Sequence, residues 1–80
     1  MNTDVSNNEP RDVKMRVVQT IFATELQKAT DEGYNPEYLT TLLISNRTSA
    51  LSGNELGFTK AISLMPSYLA TKVIEHYATS

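Results

Sequence analysis

The longest periodic segment of the chain, from Pro10 to Gly33, has an apolar surface too wide for an ordinary surface helix. At about 100° per residue, Val13, Val17 and Ile21 fall on one line of the predicted helix. A second apolar line lies beside it, formed by Met15, Val18, Phe22, Leu26 and Ala29. The two lines span roughly 220° of the circumference, whereas a surface helix usually carries a stripe of about 100°. We therefore expect this helix to be buried on two sides.

Two arrangements bury a helix in this way, and the sequence leaves both open. Other helices of the same chain can surround it, as in an ordinary bundle. Alternatively, a second copy can pack on it, which predicts a homodimer interface at Val18, Phe22 and Leu26. Self-association is a common source of stability for a small domain, and this chain has 80 residues and no cysteine for disulfides. A surface for a different protein is the third possibility.

Two pairs of boundary signals place the first two helices. Pro10 suits the first position of a helix, and Gly33 can adopt the left-handed conformation that ends one. Asn35 and Pro36 then form a helix start, with the asparagine as N-cap. The second helix is predicted to end near Asn46 or Arg47, followed by a loop or frayed end at residues 47–50.

A third helix is predicted to begin near Gly53. Ser52 and Glu55 have the spacing of a capping box, and Leu51 and Leu56 flank them as a hydrophobic staple would. The predicted buried face of this helix consists of Phe58, Ala61, Ile62 and Met65.

Pro66 interrupts this pattern, because proline cannot donate a hydrogen bond to the preceding turn. A fourth helix is predicted from Pro66 to about Ala78, with a buried face formed by Leu69, Ala70, Val73, Ile74 and Tyr77. The predicted fold is all-α, a small antiparallel bundle of three to four helices with the long first helix as its spine. Residues 1–9 are predicted to be a mobile tail and residues 10–80 a single domain.

Composition excludes several classes of function. Without cysteine and with a single histidine, the chain cannot form a Cys/His zinc site. The net charge is −2, and the basic residues are scattered among acids. The N-terminus lacks the features of a secretory signal, and no apolar run is long enough to span a membrane, so we expect a cytoplasmic protein.

Three residue pairs have side chains that could carry chemistry, and none of them predicts an enzyme. Tyr68 and Lys72 have the Tyr-x-x-x-Lys spacing of short-chain dehydrogenases, but the glycine-rich turn and nucleotide-binding sheet of such enzymes are missing. Glu75 and His76 are adjacent and therefore do not face each other on a helix. Asp31 and Glu32 are best explained as a solvated acidic pair. We predict no catalytic, cofactor-binding or metal-binding residue.

By exclusion, the sequence favours a small non-enzymatic interaction or regulatory protein that binds a protein partner, as a homodimer or other homo-oligomer. Tyr38, Ile44, Leu64 and Tyr68 are the predicted partner-binding residues, because aromatic and aliphatic anchors dominate protein interfaces. In the alternative interpretation they complete the core of the monomer or dimer.

The alternative function is DNA binding by a transcriptional regulator. Residues 53–78 could form a helix-turn-helix-like segment, with Ser67, Tyr68, Thr71 and Lys72 available for base or phosphate contacts. However, proline replaces the usual glycine in the turn, and the second helix offers only Lys72 to a phosphate.

Overall fold

In a computed structural model the chain is described over residues 13–78, which form five α-helices and no strand. Within the described residues, helix α1 covers residues 13–21. It is followed by α2 (Ala23–Asp31), α3 (Pro36–Ser52), α4 (Glu55–Ile62) and α5 (Ser67–Ala78). The predicted all-α class is therefore confirmed. The predicted mobile tail and the start signal at Pro10 lie outside the described residues.

The single first helix predicted from Pro10 to Gly33 is divided at Phe22. This residue has φ −108° and ψ 25°, which departs from helical geometry and separates α1 from α2. Hydrogen bonds still cross the break, since the Phe22 N–H donates to the Val18 carbonyl at 3.0 Å and the Leu26 N–H donates to the Phe22 carbonyl at 2.8 Å. Neither proline nor glycine lies nearby, so the usual sequence signal of a break is missing. The β-branched residues around Phe22 have only modest helix propensity, which lowers the energetic cost of the distortion.

The signals between α2 and α3 are confirmed. Gly33 adopts φ 100°, a left-handed conformation that side chains disfavour. The Gly33 N–H donates to the Thr30 carbonyl and the Tyr34 N–H to the Ala29 carbonyl, so both bonds of a Schellman motif close α2. Asn35 then caps α3, because its side-chain oxygen accepts from the Glu37 N–H at 2.9 Å.

The boundary between α3 and α4 differs from the prediction. Helix α3 continues through residues 47–50 and ends at Ser52, with Gly53 as its left-handed C-cap at φ 75°. The predicted capping box at Ser52 is wrong, because Ser52 is still helical and Asn54 is the N-cap: its Oδ1 accepts from the Gly57 N–H at 3.0 Å. The predicted hydrophobic staple is also wrong, since Leu51 and Leu56 are 73% and 81% exposed.

Helices α3, α4 and α5 each contribute one face to the core, and α1, α2 and the break between them contribute Val18, Phe22, Leu26 and Ala29. Its buried apolar side chains are Val18, Phe22, Leu26, Ala29, Leu39, Leu42, Leu43, Ala61, Met65, Leu69 and Val73. Helix α3 packs against α2, α4 and α5, and α2 also packs against α5. α3 therefore has a central position in the described chain. The predicted antiparallel bundle with the first helix as spine stays a prediction.

Candidate protein-binding groove

A groove lies between α4 and α5 and is also lined by residues at the C-terminal end of α3. Its volume is about 590 Å³, and it is open to solvent. The lining residues are Ser49, Ala50, Gly53, Asn54, Glu55, Phe58, Thr59, Ile74, Tyr77 and Ala78. Most of the exposed lining surface is apolar. We call this feature the α4–α5 groove.

The groove exists because α4 and α5 each pack on α3 and leave space between their outer edges. They meet at its base, where the rings of Phe58 and Tyr77 are in edge-to-face contact with centroids 6.0 Å apart. Further out, Ile74 is 46% exposed, so its predicted place on the buried face of α5 is wrong. The periodicity correctly predicted that Leu69 and Val73 are buried, but it could not show that Ile74 borders an open groove.

The lining of the groove carries one formal charge, which is negative, while the Arg47 guanidinium acts on Tyr77 from outside the lining. Glu55 is the only charged residue among those that line it in the described chain. The C-terminal end of α3, which carries the negative pole of a 17-residue helix, also lies there at Gly53. The positive N-terminal end of α4 is partly satisfied, because Asn54 accepts the Gly57 N–H.

Tyr77 places a polar atom at the base of this apolar groove. Burial raises the pKa of the Tyr77 phenol above its ordinary value, and the Arg47 guanidinium partly opposes that rise. The phenol is therefore neutral at physiological pH, and the groove keeps a single formal charge at Glu55.

Asn46 joins α3 to α4 close to the groove. It is fully buried, and its Nδ2 donates to the Phe58 carbonyl at 2.9 Å. Its Oδ1 is also buried and accepts no hydrogen bond from the described residues. Sequence reasoning missed this residue because it placed the end of the second helix there. Its spacing from Leu39, Leu42 and Leu43 would have put it on the core face of a longer helix.

The four predicted partner-binding residues have different positions in the structure. Tyr38 in the first turn of α3 and Leu64 in the α4–α5 turn are 49% and 50% exposed. Ile44 and Tyr68 are partly buried and pack against the core. The two exposed residues are thus available to a partner, whereas the other two largely serve the fold of the single chain.

The three predicted dimer-interface residues lie in the core of one chain. Val18 and Phe22 are fully buried, and Leu26 is 8% exposed. Phe22 also packs edge-on against the ring of His76 at 5.7 Å between centroids. A second copy would therefore meet other side chains. The first apolar line of the wide face is more accessible, since Val13 is 50% exposed.

Tyr68 connects the N-terminal turn of α5 to the end of α2. Its hydroxyl donates to Glu32 Oε1 at 2.7 Å, and Lys28 Nζ lies 4.5 Å from the centroid of its ring. Desolvation and the Glu32 carboxylate raise the pKa of Tyr68 to about 12. A tyrosine that acts as a general base needs the opposite shift, so the Tyr68–Lys72 spacing acquires no catalytic support.

The helix-turn-helix-like segment at residues 53–78 contains α4, the turn at residues 63–66 and α5. Its formal charges are Glu55, Lys60, Lys72 and Glu75, two of each sign, which cancel. DNA affinity depends strongly on cationic contacts with phosphates. The alternative DNA-binding function stays a prediction without an electrostatic feature in its favour.

The described residues contain neither a metal-binding cluster nor a membrane-spanning helix. Within residues 13–78 no three histidine, aspartate or glutamate side chains lie close enough to hold a metal ion. None of the helices there has the length and apolar character that a membrane span requires. Comparisons with models of protein families, with curated proteins and with solved structures gave no match.

Proposed function

We propose that this chain is a non-enzymatic helical interaction protein with a regulatory role, which acts by binding a protein partner. The observation that carries the proposal is the apolar α4–α5 groove, at whose edge Ile74 remains 46% exposed. A groove between helices is a common site for a segment of another protein. The exposed side chains of Tyr38 and Leu64 offer a second contact surface of the kind that interfaces use.

The proposal is favoured over catalysis by the chemistry of the groove. Its polar lining consists of hydroxyl, amide and carboxyl groups without a histidine, cysteine or lysine. An active site needs a nucleophile, acid or base in mutual contact, with pKa values adjusted to its task. The groove instead supplies apolar surface and one fixed negative charge, which suit recognition.

We also propose that the protein associates as a homodimer through the outer line of α1. Val13 is half-exposed and Val17 is partly buried, yet neither belongs to the core cluster. α1 carries Lys14 and Arg16, whereas the charges of α2 and its C-cap are mostly acidic. Two copies packed antiparallel would therefore place unlike charges together. In such an assembly the first helices form the spine of the antiparallel bundle.

Affinity capture from the native host tests the partner-binding proposal. The full chain is tagged at its N-terminus, and the wild type is compared with Ile74→Asp and with Leu56→Asp. Leu56 is 81% exposed and does not line the groove, so it serves as a matched control. We expect a stoichiometric protein that the wild type and Leu56→Asp retain after nuclease treatment and that Ile74→Asp loses.

Two results would oppose this proposal. Recovery of nucleic acid, together with proteins that nuclease treatment removes, would favour the DNA-binding alternative. Equal capture by wild type and Ile74→Asp would move the binding site away from the groove, and Tyr38→Ala and Leu64→Ala would then test the second surface.

Sedimentation measurements test the homodimer. Val17→Glu places a charge on the outer line of α1 and should give a monomer with native helicity by circular dichroism. Phe22→Glu buries a charge in the core and should lose helicity instead. Unchanged association of the Val17→Glu chain would exclude this interface.

A further inference from the structure

We infer that the partner segment is a short amphipathic helix with apolar side chains on one face and a lysine or arginine beside them. This inference rests on the proposed protein-binding function and specifies the chemistry of the partner at the α4–α5 groove. It follows from the shape of the groove, from its apolar lining and from the sign of its charge.

The shape favours a helical segment. The walls are two helices, and residues 13–78 contain no strand whose edge could pair with an extended peptide. α4 has eight residues, so its length is about 12 Å at 1.5 Å per residue. A wall of that length spans about two turns of a bound helix, which present apolar side chains at i and i+3 or i+4.

The lining identifies where those side chains bind. Ala50 lines the groove from α3, the rings of Phe58 and Tyr77 meet edge-to-face, and Ile74 lines it from α5. The small side chain of Ala50 leaves room for a side chain of the partner, while the two rings provide apolar contact surface. Because the groove is open to solvent, it would leave much of a small molecule in water, whereas ligand sites usually bury most of their ligand.

The charge identifies the polar part of the partner. Glu55 is the only charged side chain that lines the groove in the described residues, and the negative end of α3 lies beside it. A lysine or arginine one turn from the apolar anchor would therefore find a carboxylate and a helix C-terminus. An acidic segment would meet like charge, which disfavours binding and suppresses wrong partners.

The same charge argues against a second copy as the occupant. A twofold contact on the groove would place two Glu55 side chains in one interface, and no lysine or arginine among the described lining residues would pair with them. The homodimer proposed above uses α1, on a different surface. The groove and the dimer contact can therefore be occupied independently.

Selection from a phage-displayed library of helical 14-residue peptides tests the inference on the full chain. Peptides are selected only for binding to the wild type, without counter-selection, and two enriched peptides are then synthesised. Each is also made with its basic residues replaced by glutamate, and binding is measured by fluorescence anisotropy. Leu56→Lys is the control, because Leu56 lies outside the groove.

The expected peptides have apolar residues at helical spacing and an excess of lysine and arginine. Ile74→Asp should weaken binding at least about tenfold, as loss of an anchor contact does. Glu55→Lys should weaken the basic peptides by about tenfold and strengthen the glutamate versions, while Leu56→Lys leaves both unchanged. If Ile74→Asp loses native helicity, Ile74→Ser replaces it.

Four results would contradict the inference. Enriched peptides without a basic bias would remove its charge component, and equal binding to the Ile74 variant would place the site elsewhere. Loss of self-association in Ile74→Asp would show that a second copy occupies the groove. A protein captured from lysate through Tyr38 or Leu64 would preserve the proposed function while excluding the groove.

Discussion

The two sides of α5 carry similar apolar residues but have different surroundings. On the inner side, Leu69 and Val73 are fully buried against the core. On the outer side, Ile74 remains 46% exposed at the edge of the α4–α5 groove. The side chains do not explain the contrast, because isoleucine and valine have nearly the same preference for burial. The position of the neighbouring helix explains it.

This contrast predicts that residues on the inner side of α5 contribute mainly to stability, whereas Ile74 on the outer side contributes mainly to binding. A core residue loses both its transfer free energy and its packing contacts when it is truncated, and the cavity adds a further cost. A half-exposed residue at a groove buries less apolar surface on folding, so its truncation lowers the free energy of unfolding by less. Substitutions in the core should therefore reduce folding, whereas substitutions at Ile74 should mainly reduce binding.

The largest effect is expected from Phe22→Ala in the core. Phe22 is fully buried, so the change should lower the free energy of unfolding by about 3–5 kcal/mol. Ile74→Ala should lower it by less than about 1 kcal/mol, since half of that side chain is exposed. Urea unfolding followed by circular dichroism measures both. Equal losses would show that a buried core residue and a residue at the groove edge do not differ energetically.

Asn46→Asp should have the next largest effect. The amide is fully buried near the base of the groove, and an ionised aspartate there should lower stability by at least about 2 kcal/mol at pH 7. Burial would raise the pKa of the new carboxyl in the folded state. Its neutral form is therefore favoured by folding, so the deficit relative to wild type should shrink at pH 3 and grow as the pH rises.

Asn54→Asp provides the matched control for Asn46→Asp. Asn54 is exposed and caps α4, and aspartate is an equally good N-cap. We expect a change within about 0.5 kcal/mol. A pH-independent deficit in Asn46→Asp would indicate that steric disruption, rather than a buried charge, causes the loss.

Gly57→Ala tests whether the Asn54 cap at the start of α4 depends on the missing side chain of Gly57. Glycine to alanine in a helix usually gains about 1 kcal/mol. Here a Cβ would lie 2.7 Å from Asn54 Nδ2, so the capping side chain must move and the cap, worth about 1 kcal/mol, is weakened. The net change should be near zero or unfavourable. In an Asn54→Ala background the same substitution should become stabilising.

A double-mutant cycle from thermal unfolding measures this coupling between Asn54 and Gly57. Ser52→Ala is the control, because Ser52 is not the cap and its loss should change stability by less than about 0.5 kcal/mol. Additive effects of the Asn54 and Gly57 changes would mean that the two side chains do not compete for the same space.

The smallest effect is expected from Tyr68→Phe, which removes the bond between α5 and Glu32. The folded-state pKa of Tyr68 is raised from 10.0 to about 12, so the neutral phenol is the form that folding favours. Its contribution is complete below pH 10 and is lost as the pH rises through about 12. Tyr68→Phe should therefore be slightly less stable than wild type at pH 7. Between pH 10 and about 12, its free energy of unfolding should fall less than that of wild type. Urea midpoints across the alkaline range measure it, and parallel curves would contradict the assignment.

Local signals predicted a helix boundary correctly where the sequence offers only one set of capping residues. Gly33 and Asn35 were correctly assigned because a left-handed glycine and a side-chain cap satisfy nearby backbone groups. The signal at Ser52 failed because a better pair, Gly53 and Asn54, followed directly. Both Ser52 with Glu55 and Gly53 with Asn54 could cap a helix locally. The longer α3 that the second pair allows packs against α4.

The sequence by itself determined the all-α class, the glycine that ends α2, the cap of α3 and the buried faces of most helices. These follow from 3.6-residue periodicity and from hydrogen bonds within a few residues. Only the tertiary structure decided that Phe22 interrupts the first helix, that Asn46 is buried and that Ile74 borders an open groove. Those features depend on where other helices lie, and contacts between residues distant in the chain leave no local pattern from which to infer them.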